Sequence, residues 1–296
     1  MFDIAPDFDL NVMERNQSLA RVTSRIIEVF DELVGREHPD WILVQGDTTT
    51  VMATSLFGFC RRVRIGHVEA GLRSGDKNQP YPEEINRRIS DLVADLHFAP
   101  TERNRENLLR EGVSRTSVVV TGNTVIDALQ MTVERLREIA QRVDLPEESE
   151  GKRLILVTAH RRESLGQPLQ EICRGLKRIA EEFHDSVHII YPVHPNPNVR
   201  DVVFAELEGS TNITLLDPVD YETLVQLMVS SFTVITDSGG IQEEAPSLNK
   251  PVLILRDVTE RPEILSLRGA KLIGTSSDTI FGETCRLLEN PSAYET

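Results

Sequence analysis

The chain has 296 residues, 40% hydrophobic and 27% charged, which is enough for two domains of ordinary size, each with its own core. Its formal charge of −15 excludes a general nucleic-acid surface, although local arginines and helix N-termini can still hold a diphosphate. No apolar run approaches the ~20 residues that span a bilayer, and the acidic start MFDIAPDFDL lacks the basic region of a signal peptide, so a cytoplasmic protein is expected.

In chain order, residues 1 to 17 have little periodicity and read as an extended entry. From Ser18, Leu19, Val22, Ile26, Val29, Phe30 and Leu33 recur at helical spacing, with Gly35 and Pro39 as stop signals. Strands at 41–45, 63–68, 96–99 and 117–120 then alternate with helices near 49–60, 83–94 and 102–110 and from Thr124. Residues 143–152, VDLPEESEGK, are charged, lack an apolar face and read as a linker. Alternation restarts with strands at 153–158, 187–191, 213–216, 232–236, 251–255 and 271–273, and helices near 168–183, 198–207, 220–230 and 240–247. The pattern predicts an α/β fold of two Rossmann-like, doubly wound domains facing a cleft, residues 1–145 and 152–296. Ligand contacts are then expected from loops outside the carboxyl ends of the strands. Cys60, Cys173 and Cys285 are too widely spaced for a disulfide framework or metal knuckle and read as buried thiols.

The densest motif is TDSGGIQEEAPS, 236–247, a strand end, glycine turn and helix start. Gly239 and Gly240 permit positive φ and close approach, and Ser238 can cap the helix or donate to an oxygen. The stretch is either a capped turn or a phosphate cradle, with Glu244, beside Glu243, placed to accept from ribose hydroxyls. Asp47 follows Gly46 at a strand end and reads as a helix cap or as a site carboxylate. Glu69 closes the buried-type strand in HVEAG, where an unpaired charge is costly, which points to function. Glu83 opens a helix after Pro82, and Arg87 lies one turn on, placed to pair with it or to reach a ligand. His160, Arg161 and Arg162 end the strand RLILVTAH and can supply cations to a diphosphate, or are simply solvated. His194 sits in a proline-stiffened loop, YPVHPNP. Glu260 and Arg261 read as a structural ion pair. His67, His97, His184 and His188 show no ligand spacing, so no metal is expected, and no dinucleotide fingerprint calls for NAD.

Eight segments together, VQGDTTT (44–50), GHVEAGLRSGD (66–76), PYPEEINR (80–87), TGNTVIDAL (121–129), LVTAHRRES (156–164), YPVHPNPNVR (191–200), TDSGGIQEEAPS and RDVTERPE (256–263), closely resemble the non-hydrolysing UDP-N-acetylglucosamine 2-epimerases, in the family's order and over nearly the whole chain. The resemblance implies a GT-B arrangement and interconversion of UDP-GlcNAc and UDP-ManNAc through elimination and re-addition of UDP, with no cofactor. Residue by residue, Asp47, Glu69 and Glu83 match its acid/base carboxylates, His160 matches a histidine at the diphosphate, and the 256–263 loop lies near the sugar. Site-lining roles go to Arg87, Arg161, His194, Ser238, Gly239, Gly240 and Glu244. A homodimer and activation by substrate at a second site are family expectations. A hydrolysing epimerase, an epimerase for a related UDP-sugar and a catalytically silent UDP-sugar binder remain alternatives, separated by product analysis and C2 hydrogen exchange. Family members begin with a strand, a GTRPE loop, a helix and a second strand absent before Met1, and they close with a further helix after NPSAYET. The expectation is therefore a fragment, poorly soluble and nearly inactive, that retains weak UDP binding.

Overall fold

The computed structural model describes residues 4–14, 17–139, 143, 145–266 and 269–294. The chain forms two compact units, Met1–Asn123 and Thr124–Thr296.

In the first unit, α1 (Leu19–Glu37) is capped by Ser18, whose side chain accepts from the Arg21 amide, and ends at His38 in the left-handed region. Then follow β1 (Trp41–Gln45), α2 (Thr49–Cys60), β2 (Arg64–Val68), α3 (Glu83–Val93), β3 (Leu96–Ala99), α4 (Glu102–Arg110) and β4 (Val118–Val120). Among the described residues the strands form one parallel sheet in the sequential order β1-β2-β3-β4. One face packs Ile42, Val44 and Ile65 against Val51 and Phe57 of α2 and Val34 of α1. The other face leaves Leu43 68% and Val119 45% exposed.

The second unit opens with α5 (Thr124–Glu138). It continues through β5 (Arg153–Thr158), α6 (Gln167–Glu182), β6 (Val187–Pro192), α7 (Pro197–Leu207), β7 (Ile213–Leu216), α8 (Tyr221–Ser230), β8 (Thr233–Thr236), α9 (Ile241–Ser247), β9 (Val252–Ile254), β10 (Ala270–Leu272), α10 (Ser277–Glu289) and α11 (Pro291–Tyr294). Its parallel sheet runs β10-β9-β8-β5-β6-β7, so the chain order reverses between β5 and β8. Alternate strand residues enter two cores: Ile155, Val157, Ile189 and Ile235 on one face, Leu156, Ile190, Val234 and Ile254 on the other. This two-sided burial explains the near-continuous apolar strands.

Four readings change. The domain boundary expected at 145–152 falls instead at 123–124, because α5 buries Leu129 and Leu136 with Val225, Ile241 and Ala245 of the second unit. In the expected linker, Val143 and Leu145 pack against that same core, and Glu147–Ser149 form a 3-10 turn. Helix α10 escaped the sequence reading; it buries Ile280, Leu287 and Leu288, and Gly175 on α6 lets Ile280 approach to within 3.1 Å of where a Cβ would stand. Of the thiols expected to be buried, Cys173 is, Cys60 is exposed, and Cys285 is intermediate.

Candidate functional site

In the second unit the site forms where the sheet reverses. The ends of β5 and β8 are joined by a hydrogen bond between the Thr158 and Thr236 hydroxyls, 2.6 Å. Asp237, fully buried, follows. Its Oδ2 accepts from the backbone amides of His160 and Arg161, both at 2.8 Å, and from the Ser164 hydroxyl at 3.2 Å. One carboxylate thus fixes the loop leaving β5. Asp237 Oδ1 is buried without a hydrogen bond, 3.8 Å from His160 Nδ1.

The His160 ring stacks on His194, centroids 5.1 Å apart. Burial lowers the His160 pKa from 6.5, and His194 and Arg161 add to the effect against the pull of Asp237. This corrects the expectation of a cationic His-Arg-Arg cluster: at neutral pH the charge rests on the arginines and His160 stays a neutral ring.

The turn after β8 also differs in its chemistry from expectation. Neither Gly239 nor Gly240 uses positive φ, and Ser238 makes no capping bond to α9. Close approach, the other use expected of these glycines, is found at Gly239, against side-chain ends: a Cβ there would stand 2.8 Å from Arg261 Nη1, 3.0 Å from Glu260 Oε1 and 3.5 Å from Arg161 Nη2. Arg261 binds Glu260 at 2.6 Å and also pairs with Glu243, while Arg256 joins Glu260 at 3.0 Å and Glu163 at 3.7 Å. Glu260 and Arg261 thus form an ion pair, as expected, and it lies on the glycine turn. Glu244, 4% exposed, accepts from the Tyr221 hydroxyl at 2.5 Å. Burial raises its pKa and the tyrosine hydrogen bond opposes that rise, favouring the ionised carboxylate.

In the first unit, Thr48 caps α2 by accepting from the Val51 amide, so Asp47 is not the helix cap. Gly46, at φ +81°, turns the chain. The Asp47 carboxylate lies 3.0 Å from Arg87 Nη2, and its carbonyl accepts from Asn86 Nδ2 at 2.9 Å. Glu69 takes φ +69°, a left-handed conformation uncommon outside glycine and typical of constrained functional positions. Its Oε1 accepts from Asn123 at 3.3 Å, and its Oε2 lies 3.4 Å from the position a Gly46 Cβ would take. Glu83, opening α3, holds a buried Oε2 that makes no hydrogen bond. Arg87, 1% exposed, pairs with Asp47 and, at 3.5 Å, with Glu84, and not with Glu83. Glu84 is the structural member of the EE pair: fully buried, it accepts from the Ser74 amide at 2.9 Å and from Arg88 Nε at 3.1 Å.

Asp47, Glu69, Glu83 and Arg87 thus gather at the carboxyl edge of the first sheet, and His160, Arg161, His194, Ser238, Gly239, Gly240 and Glu244 at the reversal of the second. A family model described as UDP-N-acetylglucosamine 2-epimerase matches residues 1–296. The chain belongs to that family. The UDP-N-acetylglucosamine 2-epimerase of Escherichia coli K12 is 48% identical over 302 residues, spanning 100% of this chain and 80% of the relative. A putative one from Thermotoga maritima is 49% identical, spanning 100% and 78%. The crystal structure of UDP-GlcNAc 2-epimerase from Neisseria meningitidis bound to UDP-GlcNAc matches with TM-score 0.94 at 41% identity, covering 99% of this chain and 80% of that one. The S. aureus MnaA–UDP co-structure gives 0.92 at 43%, covering 99% and 77%.

The 2-epimerases are isomerases, and the α/β architecture with Rossmann-like units of GT-B type agrees with the sequence expectation. Among the described residues no helix is long and apolar enough to cross a membrane, and no group of three or more His, Cys, Asp or Glu is placed to hold a metal ion. Sequence reading of this epimerase-family chain missed Asp237, Tyr221 and Arg256. Asp237 lay inside the quoted glycine motif, and its buried position between two strand ends was the available signal. Tyr221 carried none, because its partner Glu244 lies 23 residues away, whereas Arg256 stood inside the RDVTERPE segment, four residues before its partner Glu260.

Proposed function

We propose that this chain interconverts UDP-GlcNAc and UDP-ManNAc without hydrolysis. The C2 hydrogen of the sugar is not adjacent to a carbonyl, so direct deprotonation would leave an unstabilised carbanion. Elimination avoids it: a carboxylate takes the C2 proton, the electron pair forms the C1–C2 double bond, and the C1–O bond to UDP breaks, leaving a glycal and UDP. Protonation at C2 on the opposite face and re-addition of UDP at C1 complete the epimerisation. The reaction needs an acid, a base and a stabilised leaving diphosphate.

The observation that carries this reading is the carboxylate set of the first unit. Three carboxyl groups sit at one sheet edge in three different environments: Asp47 paired to a buried arginine, Glu69 on a left-handed backbone, and Glu83 with a buried, unbonded oxygen. Differing environments are what separate acid from base roles. Arg161, neutral His160 and the Ser238–Gly240 turn contact the diphosphate, Glu244 the ribose hydroxyls, and His194 lines the site. A cytoplasmic homodimer comes with the family reading, and light scattering tests the dimer. The reaction itself is tested by NMR with UDP-GlcNAc in deuterium oxide. The expected product is UDP-ManNAc carrying deuterium at C2. Release of free ManNAc would make the chain a hydrolysing epimerase, and UDP binding without exchange would make it a silent binder.

A further inference from the structure

His67, to which sequence spacing assigns no role, is fully buried on β2, two residues before Glu69. Its Nε2 lies 2.8 Å from the Gly46 carbonyl and its Nδ1 lies 2.6 Å from Asp91 Oδ1 on α3. A carbonyl has no proton to give, so Nε2 must donate. Nδ1 then either accepts from a neutral Asp91 or donates to an ionised one. The other carboxylate oxygen decides between these: Asp91 Oδ2 lies 2.8 Å from Arg73 Nη2 and accepts from the Gly71 amide at 3.2 Å, an environment that holds the carboxylate ionised. Both ring nitrogens therefore carry hydrogen.

We propose that His67 is a positioning residue, a buried imidazolium that locks together the three segments bearing the acid/base carboxylates. The Gly46 carbonyl directly precedes Asp47, His67 itself precedes Glu69 on β2, and Asp91 belongs to the helix that Glu83 opens. Severing the ring from either partner removes the side chain that touches all three segments, leaving the Asp47 loop held to α3 by Arg87 and Asn86. The charge is balanced locally. Asp91 and Arg73 face the ring, Glu111 at the end of α4 binds Arg73 at 2.6 Å, Arg88 acts on Glu111, and His97 Nε2 on the neighbouring strand donates to the Asp91 carbonyl, 2.8 Å. Burial alone would lower the His67 pKa, but the Asp91 hydrogen bond and charge and the Gly46 carbonyl outweigh it, and the value lies above the ordinary 6.5. The raised value favours the protonated ring, which gives up its proton, with the Gly46 contact, as pH climbs past it.

Two arms test this in the full chain. In the first, 15N-histidine NMR at pH 7.5 shows both His67 nitrogens protonated, and the amides of Asp47 and Glu69 shift with the His67 midpoint on alkaline titration. An unprotonated His67 nitrogen at that pH, or amides that ignore its titration, overturns the proposal whatever the enzyme does. The second arm rests on the epimerase reading. His67→Gln retains one amide donor but no charge, and is expected to lower kcat for C2 exchange on the order of 10- to 10²-fold, through misplacement of the carboxylates, with KM and UDP affinity nearly unchanged. Wild-type amide dispersion for residues of the first unit shows that the variant folds. The wild-type alkaline limb of the pH profile should disappear in the variant. A variant with wild-type kcat and the same alkaline limb would reduce His67 to a structural role. Absence of exchange in the wild type would count against the epimerase reading alone, leaving the NMR arm to decide the imidazolium.

Discussion

The two sheets of this chain are built from the same strand-helix alternation and bury it differently. The second sheet is covered on both faces and reverses its chain order, so its ligand loops diverge from a point between β5 and β8 that Asp237 ties together. The first is sequential and apolar on one helix-covered face, and its polar edge is organised by ions: Arg87 between Asp47 and Glu84, and Arg73 and His67 on Asp91. On the proposed function, backbone geometry builds the nucleotide cradle in one unit, while charge pairing builds the proton-transfer edge in the other. Splitting the labour this way lets binding and chemistry be perturbed separately.

The sharpest way to break that comparison is through the carboxylates. Asp47→Asn, Glu69→Gln and Glu83→Gln should each lose about 10² to 10⁴ in turnover, the usual worth of a general acid or base, while keeping UDP affinity. C2 deuterium exchange alongside calorimetric UDP titration reads both quantities, and near-normal exchange in all three variants would move the acid/base roles elsewhere. The two sheets should also differ in what a core leucine is worth. Leu156→Ala, in the doubly covered sheet, should cost about 2 to 5 kcal/mol, whereas Leu43→Ala on the open face of the first sheet should stay within about 0.5 kcal/mol. Equal losses in urea denaturation would show that the open face is covered in solution.

Smaller effects are expected at the nucleotide cradle. Glu244→Gln and Ser238→Ala should weaken UDP by about 1 to 3 kcal/mol each, the cost of leaving buried partners unpaired, with C2 exchange at saturation little altered. Unchanged affinity would return the turn to a purely structural role. The smallest effect is a pH signature of opposite sign in the two units. His67 has a raised folded pKa, so its contribution is full below the ordinary 6.5 and is lost as pH rises through the raised value. His160 has a lowered one, so stability falls as pH drops from 6.5 toward that value. Melting curves of His67→Gln and His160→Gln across this range should lose opposite limbs of the wild-type profile, and loss of the same limb from both would contradict the assignment.

The candidate site was legible where its signals were local. The strand-end position of Asp47, the charge closing the strand at Glu69 and the glycine turn at 238–240 all sit on the expected loops. What local reading left open depends on neighbours: the charge of His160, whether the glycines serve positive φ or close approach, and the partner of Arg87. The surroundings decide each, because burial beside His194 lowers the ring's pKa, Arg261 crowds Gly239, and Arg87 pairs with Asp47 and Glu84.

Up to the last strand, before the unexpected α10 and α11, the sequence by itself determined the alternation of elements to within a residue or two, since apolar spacing and turn residues act over a few positions. It also carried the family through motifs whose order along the chain needs no geometry. Only the tertiary structure decided that α5 joins the second unit, that the second sheet reverses at Asp237, and that His67 and Arg87 hold the carboxylate edge. Those outcomes depend on which side chains become buried together across separations such as the 77 residues between His160 and Asp237. The energy of a buried charge is set by its final partners, and one-dimensional spacing does not contain them.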